Sequence, residues 1–343
     1  MTDKHWEQLK AVVNGETLSP APMGFIIDSP WLPNWYGISL LDYFTSDELW
    51  LKANLKAEES FPDLMFLPGF WSEYGMCTEP SAFGARTSFP HNEFPHAFAF
   101  INSPEQIKDM PQPNPGKDGL GPMVMNRLKL NEKKINDAGH QVRFSVSRGP
   151  LNIASFLMGT TEFMMAMITH PDETHLLIRK ITDYLSEFHS LQAEMFPSTQ
   201  GIMMLDDIIG FISAEQFEEF GLPYFKELYN RELPVKFLHN DAPCMESAPY
   251  LTQMGVNLFN MGFDTDLNEL KKVTDNKVSM LGNIPPRDVL ARGTEEDIKA
   301  SVHTLMKSLE EPSRVILSCG GGMPPGVTTP QVNAFIDAVK THQ

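Results

Sequence analysis

A chain of 343 residues, 42% hydrophobic and 21% charged, is long and apolar enough for a large core, either one α/β barrel with extensions or two average domains, and is not a disordered chain. Its net charge of −17 opposes a nucleic-acid or anionic-membrane partner, since both need a basic face. No apolar run approaches the ~20 residues of a membrane helix, and the polar start Met-Thr-Asp-Lys-His-Trp-Glu lacks a signal-peptide core, so a cytoplasmic protein is expected.

In chain order, residues 1–20 read as a short helix and a linker. Residues 22–28 read as a first strand ending in Asp28, followed by a loop stiffened by aromatics and prolines, Ser29 to Gly37. Ser46 is placed as the N-cap of a helix to Ser60, and residues 63–69 form a second strand. Residues 68–127 are unusually long and aromatic-rich, as lids and covers are. A strand over 141–147 leads to Arg148; helices are expected over 151–168 and 172–196. Strands follow at 201–206, 235–239, 256–260, 278–282 and 314–319. Between them lie helices starting at Ser213, about Leu267 and Thr294, with a last helix from Thr329.

Eight strands separated by helices or long connections imply a parallel sheet closed as a (β/α)8 TIM barrel. The expected architecture is one barrel domain over 1–343, with an N-terminal helical extension at 1–20 and the 68–127 insertion covering the mouth. An open doubly wound sheet is the alternative, but no strand-linked Gly-x-Gly-x-x-Gly occurs.

In a barrel the C-terminal strand ends share one mouth, here Asp28, Arg148, Asp206 with Asp207, His239 with Asn240 and Asp241, Asn283 and Cys319. Asp206 and Asp207 cannot both point inward from an extended strand, so one is expected in the mouth and the other against a helix. Three widely spaced cysteines, Cys77, Cys244 and Cys319, suit reduced thiols or ligands better than a disulfide framework. His239 and Cys319 are the sharpest candidate zinc pair, with Asp241 or Cys244 as a third donor. Arg148 suits a carboxylate or phosphate clamp or a structural pairing with Asp28 or Asp206. Trp31, Trp35, Tyr36 and Trp71 follow the first two strands and suggest an aromatic-lined pocket. The glycines of residues 318–326 suit close backbone approach to a ligand or a sharp exit from the last strand; the Lys-Ser/Thr of a P-loop is missing.

Leu205-Asp-Asp-Ile-Ile-Gly-Phe-Ile-Ser213, Gly221-Leu-Pro-Tyr-Phe225, Phe237-Leu-His-Asn-Asp241, Met280-Leu-Gly-Asn-Ile284, Leu290-Ala-Arg-Gly-Thr-Glu-Glu and the run from Ile316 to Pro330 resemble the uroporphyrinogen decarboxylase superfamily over roughly residues 140–340. The resemblance implies a barrel with its site at the C-terminal mouth. The true decarboxylases carry Arg-Gln-Ala-Gly-Arg near the first strand; here that place reads Phe25-Ile-Ile-Asp-Ser-Pro-Trp-Leu-Pro, the wrong chemistry for a polycarboxylate.

The other branch comprises corrinoid-dependent methyltransferases. Its thiol-methylating members bind zinc through His-x-Cys and a later Cys; this chain has His239-Asn-Asp241, and Cys319 is offset. The N-terminal aromatics look more like the O-demethylase methyltransferases, which move a methyl group from a phenyl methyl ether to cobalamin on a partner corrinoid protein. That resemblance implies His239, Asp206 and Asp241 in catalysis. Asp28, Trp31, Trp35, Tyr36, Trp71, Arg148 and Asn283 would hold substrate, and zinc on His239 and Cys319 stays open, as does a homodimer. A methylcobalamin:thiol methyltransferase or a decarboxylase is the alternative.

Overall fold

The computed structural model describes residues 1–341. Its core strands are β1 (Gly24–Ile26), β2 (Met65–Leu67), β3 (Phe144–Arg148), β4 (Gly201–Leu205), β5 (Val235–Asn240), β6 (Leu258–Met261), β7 (Ser279–Ile284) and β8 (Val315–Cys319). Each falls within, or within two residues of, a strand expected from sequence, because a buried parallel strand is a short apolar run bounded by polar residues. β3 to β8 pair in chain order as a six-stranded parallel sheet, and β1 pairs with β2 in parallel. β1 meets β8 through a parallel bridge between Met23 and Leu317, with Leu317 N–H donating to Pro22 O at 2.9 Å. The strands thus wind into a (β/α)8 TIM-type barrel.

The seam between β2 and β3 is held differently. On the open edge of β3, Gln192 accepts from Val146 N–H at 2.9 Å and donates to Val146 O at 3.1 Å. Glu79 accepts from Arg148 N–H at 2.8 Å. Side chains thus satisfy edge groups that a neighbouring strand would otherwise pair.

Helix Asp3–Val13 closes the N-terminal end of the barrel, with Trp6 edge-on to Phe144 at 5.5 Å and Ser279 Oγ donating to Val12 O at 3.1 Å. Inward strand residues such as Ile26, Leu67, Val146, Leu205, Phe237 and Leu281 complete that packed interior. Everything wet is therefore pushed to the opposite end of the barrel.

Two local expectations change. Residues 29–37 are not all loop: Leu32–Tyr36 is helical, since Pro33 lies in the first turn, where proline needs no N–H. The expected helix over 151–168 is two, Pro150–Met158 and Thr160–Thr169, bent by 104° at Gly159, whose φ is 98°. That pair matches a broken membrane span in length and composition only, and its first helix is buried in the core; no single helix among the described residues is long and apolar enough to cross a membrane.

The 68–127 segment carries short elements of its own: helix Thr78–Ala82, the two-residue pairing of Thr87–Ser88 with His96–Ala97, and a 3₁₀ turn at Pro104–Asp109.

Candidate functional site

Strand parity decides which polar side chains reach the mouth. On β4, Met203 and Leu205 point inward, so Asp206 points out and Asp207 in. Asp206 is fully buried, and its carboxylate accepts from the N–H groups of Leu151 (2.9 Å), Asn152 (3.1 Å) and Ile208 (3.1 Å). It caps helix Pro150–Met158, which has no cap from its own N-cap residue, Gly149. Burial pushes this carboxyl up to about 8, while the amide donors pull the other way. Asp206 as a catalytic group is therefore corrected: the acid at the mouth is Asp207, which accepts from Asp241 N–H at 2.8 Å.

The mouth holds a cavity of about 800 Å³. Asp28, Arg148, Asp207, His239 and Asp241 line its inner wall; Met76, Phe94 and Phe263 line it from the surrounding loops. Residues that the chain separates by up to about two hundred positions meet here because strand ends converge.

His239 comes inward from β5. Its Nδ1 lies 2.7 Å from Asn260 Oδ1, and Asn260 Nδ2 donates to Leu281 O at 2.7 Å. With its amide fixed by that carbonyl, Asn260 presents oxygen to Nδ1, so Nδ1 carries the proton. Nε2 is left on the Asp241 side, 3.7 Å from Asp241 Oδ1. Neutral His239 thus offers Nε2 as an acceptor and becomes a donor there only when protonated.

Asp28 ends β1. Its carbonyl accepts from the N–H groups of Trp31 (3.2 Å) and Leu32 (2.9 Å), fixing the turn. Its side-chain Oδ1 is buried with no partner among the described residues. Burial, then the neighbouring Glu73, push this carboxyl up to about 7; Arg148 and His239 pull it down. An aspartic acid that holds its proton near neutrality, facing a cavity, is equipped to donate it. Arg148, at the end of β3, has no hydrogen-bond or ion-pair partner for its guanidinium among the described residues, so it stays available to a ligand.

The glycine-rich run after β8 crosses the mouth. Gly320 N–H donates to Ile284 O, Gly321 N–H to Met261 O and Met323 N–H to Ile26 O, each at 2.9 Å. Those amides are consumed by strand-end carbonyls, which removes the phosphate-cradle use and leaves close backbone packing: a Cβ on Gly320 would overlap Phe263, and one on Gly321 the Asp241 carboxylate.

The aromatic expectation is corrected in place. Trp31 is fully buried, donates to Val327 O at 2.9 Å and stacks on Trp35 at 5.0 Å. Trp35 donates to Thr329 Oγ1 at 3.0 Å, and Tyr36 lines a separate surface cleft with Glu58 and His140. Helix Leu32–Tyr36 turns these rings onto the outside of the barrel. Trp71 donates to Ile27 O at 3.1 Å and packs in the barrel interior. The aromatics that do face the cavity are Phe94 and Phe263. Asn283 also leaves the binding set: it donates to Gly262 O, Phe263 O and Thr265 O at 3.3, 3.5 and 2.6 Å, and lines a neighbouring groove.

The zinc pair is corrected too. Cys319 faces away from the barrel interior and packs in the outer core, its Sγ against Gly321 O (3.7 Å) and Gly322 O (3.6 Å). Burial pushes its thiol far above the usual range. His239 faces the other side of the wall, so the two cannot share an ion. Among the described residues no group of three or more His, Cys, Asp and Glu could hold a metal. Cys244 is buried beside Thr265 Oγ1, 3.5 Å away.

Sequence reasoning missed Asn260, Glu73 and Glu79. Asn260 was legible: it lies two residues after inward Leu258, so it must face in. Glu73 belongs to irregular backbone and Glu79 to the one-turn helix Thr78–Ala82, too short for a periodicity that tells direction.

Fold and site together define a (β/α)8 barrel with an acid-lined cavity at its C-terminal mouth. The chain belongs to the uroporphyrinogen decarboxylase family, whose model matches residues 11–342. Uroporphyrinogen decarboxylases of Pseudomonas putida and Pseudoalteromonas translucida are 24% and 25% identical over 277 residues, 76% of this chain and 75% of theirs. Among solved structures, a methyltransferase from Methanosarcina mazei aligns with a TM-score of 0.81 at 19% identity over 97% of both chains. A B12-independent methionine synthase from Shewanella aligns at 0.54 with 9% identity, covering 93% of this chain and 95% of its own.

Proposed function

We propose that this protein takes a methyl group from a methoxylated aromatic and delivers it to the cobalt of a corrinoid carried by a separate protein, the demethylating step of an O-demethylase. The observation that carries the reading is Asp28, a half-buried carboxyl at the cavity wall whose Oδ1 is buried with no partner among the described residues and whose pKa is pushed up to about 7. Phenolate is a poor leaving group, and breaking an aryl ether's O–CH3 bond is eased when the departing oxygen receives a proton. A reduced corrinoid would supply the nucleophile. The protein's own tasks are then binding, water exclusion and proton delivery.

In this reading the ring packs between Phe94 and Phe263, with its ether oxygen toward Asp28. His239, held by Asn260, takes or shares the phenol proton through Nε2. Asp241 and Asp207 fix that corner. The open mouth, ringed by half-exposed Met76, Phe94 and Phe263, leaves room for a partner protein. Likeness of the whole fold to a methyltransferase supports the reaction class.

A decarboxylase acting on a polycarboxylate fits poorly. Four aspartates, Asp28, Asp207, Asp241 and Asp288, line the cavity against three arginines, Arg148, Arg287 and Arg292, and of the arginines only Arg148 ends a core strand. The thiol-methylating alternative lacks a thiolate-activating donor set, because Cys319 is outside the wall.

The test is methyl transfer to free cob(I)alamin from a panel of methoxyphenols and methoxyarenes. Product formation that is lost in Asp28→Asn is expected. Turnover only with a thiol and methylcobalamin would replace this reading with the thiol branch.

A further inference from the structure

Arg148 ends β3 with both of its main-chain groups tied down. Its N–H donates to Glu79 Oε1 at 2.8 Å, and its carbonyl accepts from Ser147 Oγ at 2.8 Å. Next along, Gly149 N–H donates to Leu205 O at 2.7 Å. This fixed backbone carries a half-buried guanidinium that no side chain pairs among the described residues, although Asp28 and Glu79 lie near enough to feel its charge. A partly desolvated charge costs free energy until it meets an opposite one.

Strand register sets what can meet it. Arg148 pairs with Leu205 and Leu205 with His239, so the three stand at one level on β3, β4 and β5. Val146, Leu205 and Phe237 point into the barrel. Arg148 lies two residues beyond Val146 and His239 two beyond Phe237, so both point the same way. Adjacent strands are ~4.8 Å apart, which sets the Arg148 and His239 backbones about 10 Å apart across Leu205. Leu205 gives the cavity an apolar floor between them. One benzene ring laid over that floor meets both side chains through groups at opposite positions.

We propose that Arg148 binds a carboxylate on the substrate's ring, so that the methyl donors are methoxybenzoates with a phenol hydroxyl opposite the acid group. The proposal rests on the methoxyarene reading and deepens it. A planar carboxylate matches the two-pronged guanidinium, each oxygen taking one N–H. The hydroxyl then meets His239 Nε2. The methoxy group beside it turns toward Asp28, which faces both Arg148 and His239.

The wall accepts one acid group and no more. Asp241 stands 3.7 Å from His239 Nε2, with its N–H held by Asp207. The cavity's other arginines, Arg287 and Arg292, are exposed, and Arg292 lies 3.9 Å from Asp288. A second carboxylate, or the second charge of a phosphate, would meet aspartates on the inner wall.

Arg148→Gln keeps the N–H that Glu79 takes and removes the charge. Two substrates are compared with free cob(I)alamin as acceptor: a hydroxymethoxybenzoate, and the methoxyphenol that lacks only its carboxylate. Wild type should take the benzoate with a KM about 10–100-fold lower, the range for a hydrogen bond to a charged group. In Arg148→Gln that advantage should vanish, with KM for the methoxyphenol unchanged. Arg148→Lys, which keeps the charge without the fork, should recover part of it. A wild type that takes both substrates equally, or variants that lose both alike, overturns the carboxylate site and leaves the ether reading standing. If no ether is demethylated, that reading has failed, and calorimetry on the ligand-free protein decides the site alone. Hydroxybenzoate binding that Arg148→Gln abolishes supports it; hydroxybenzoate that binds both proteins equally, or neither, refutes it.

Discussion

Asn260 Oδ1 lies 2.7 Å from His239 Nδ1, while its amide nitrogen is donated to the Leu281 carbonyl one strand further round the barrel. A side chain held at one end by backbone can dictate the tautomer of the ring at its other end. Asn260→Ala removes that hold without touching the cavity wall. Methyl transfer should fall about 10–100-fold, the range for losing a group that orients a functional histidine. Nitrogen NMR of the ring should show mixed tautomers where wild type shows Nδ1–H.

The reach of sequence reasoning follows from strand parity. Residues on regular strands were assignable: once Met203 and Leu205 are inside, Asp206 is outside, and only the failure to commit to that parity put Asp206 among the catalytic groups. Loops obey no such period. Trp31 and Trp35 were expected at the mouth because they follow β1, but a short helix turns them onto the barrel's outer surface. Cys319 failed for the same parity reason as Asp206, since Ile316 and Cys319 are an odd number of residues apart and face opposite sides.

Asp28 sets the pH dependence. Its carboxyl is raised to about 7, so transfer should decline as pH rises through about 7 and the acid is lost. Stability has the same sign. In the unfolded chain this group ionises near pH ~4, so between ~4 and about 7 the folded state holds the extra proton and stability falls as pH rises. Asp28→Asn should remove that slope and be more stable than wild type at pH 8. The gain is about 1–2 kcal/mol, less than the ~4 kcal/mol of an unscreened shift of that size, because the wall faces solvent. Denaturant melts at pH 5 and pH 8 check it, alongside loss of activity.

Asp206 and Asp207 should separate cleanly. Asp206→Ala strips the cap from helix Pro150–Met158 and leaves buried amides unmet, costing about 2–4 kcal/mol. KM should be unchanged at a temperature where the variant is folded. Asp207→Asn should leave Tm nearly unchanged and alter turnover, since its carboxylate lies on the cavity wall and anchors Asp241 N–H.

The two tryptophans should behave as structure. Trp31→Phe loses the hydrogen bond to Val327 O and part of a fully buried ring, and should cost about 1–3 kcal/mol with no change in substrate affinity. Phe263→Ser, at a half-exposed position on the cavity rim, should do the reverse: stability near wild type, weaker aromatic binding. Thermal melts beside ligand titrations distinguish the pair.

Gly321 tests whether the last loop sets the catalytic corner. Its φ is 73°, where a side chain is strained, and an added Cβ would overlap the Asp241 carboxylate. The loop cannot retreat freely, because Gly320, Gly321 and Met323 are tied by N–H bonds to strand-end carbonyls on β7, β6 and β1. Gly321→Ala should therefore push Asp241 away from His239 and lower kcat/KM about 10²-fold, of the order seen when a positioned group is displaced. Backbone strain and displacement of Asp241 are separable by a cycle with Asp241→Ala. If displacement dominates, Gly321→Ala should cost little further activity once Asp241 is already alanine, giving a coupling of about 1–3 kcal/mol. Additive losses would mean the glycine serves only its own backbone.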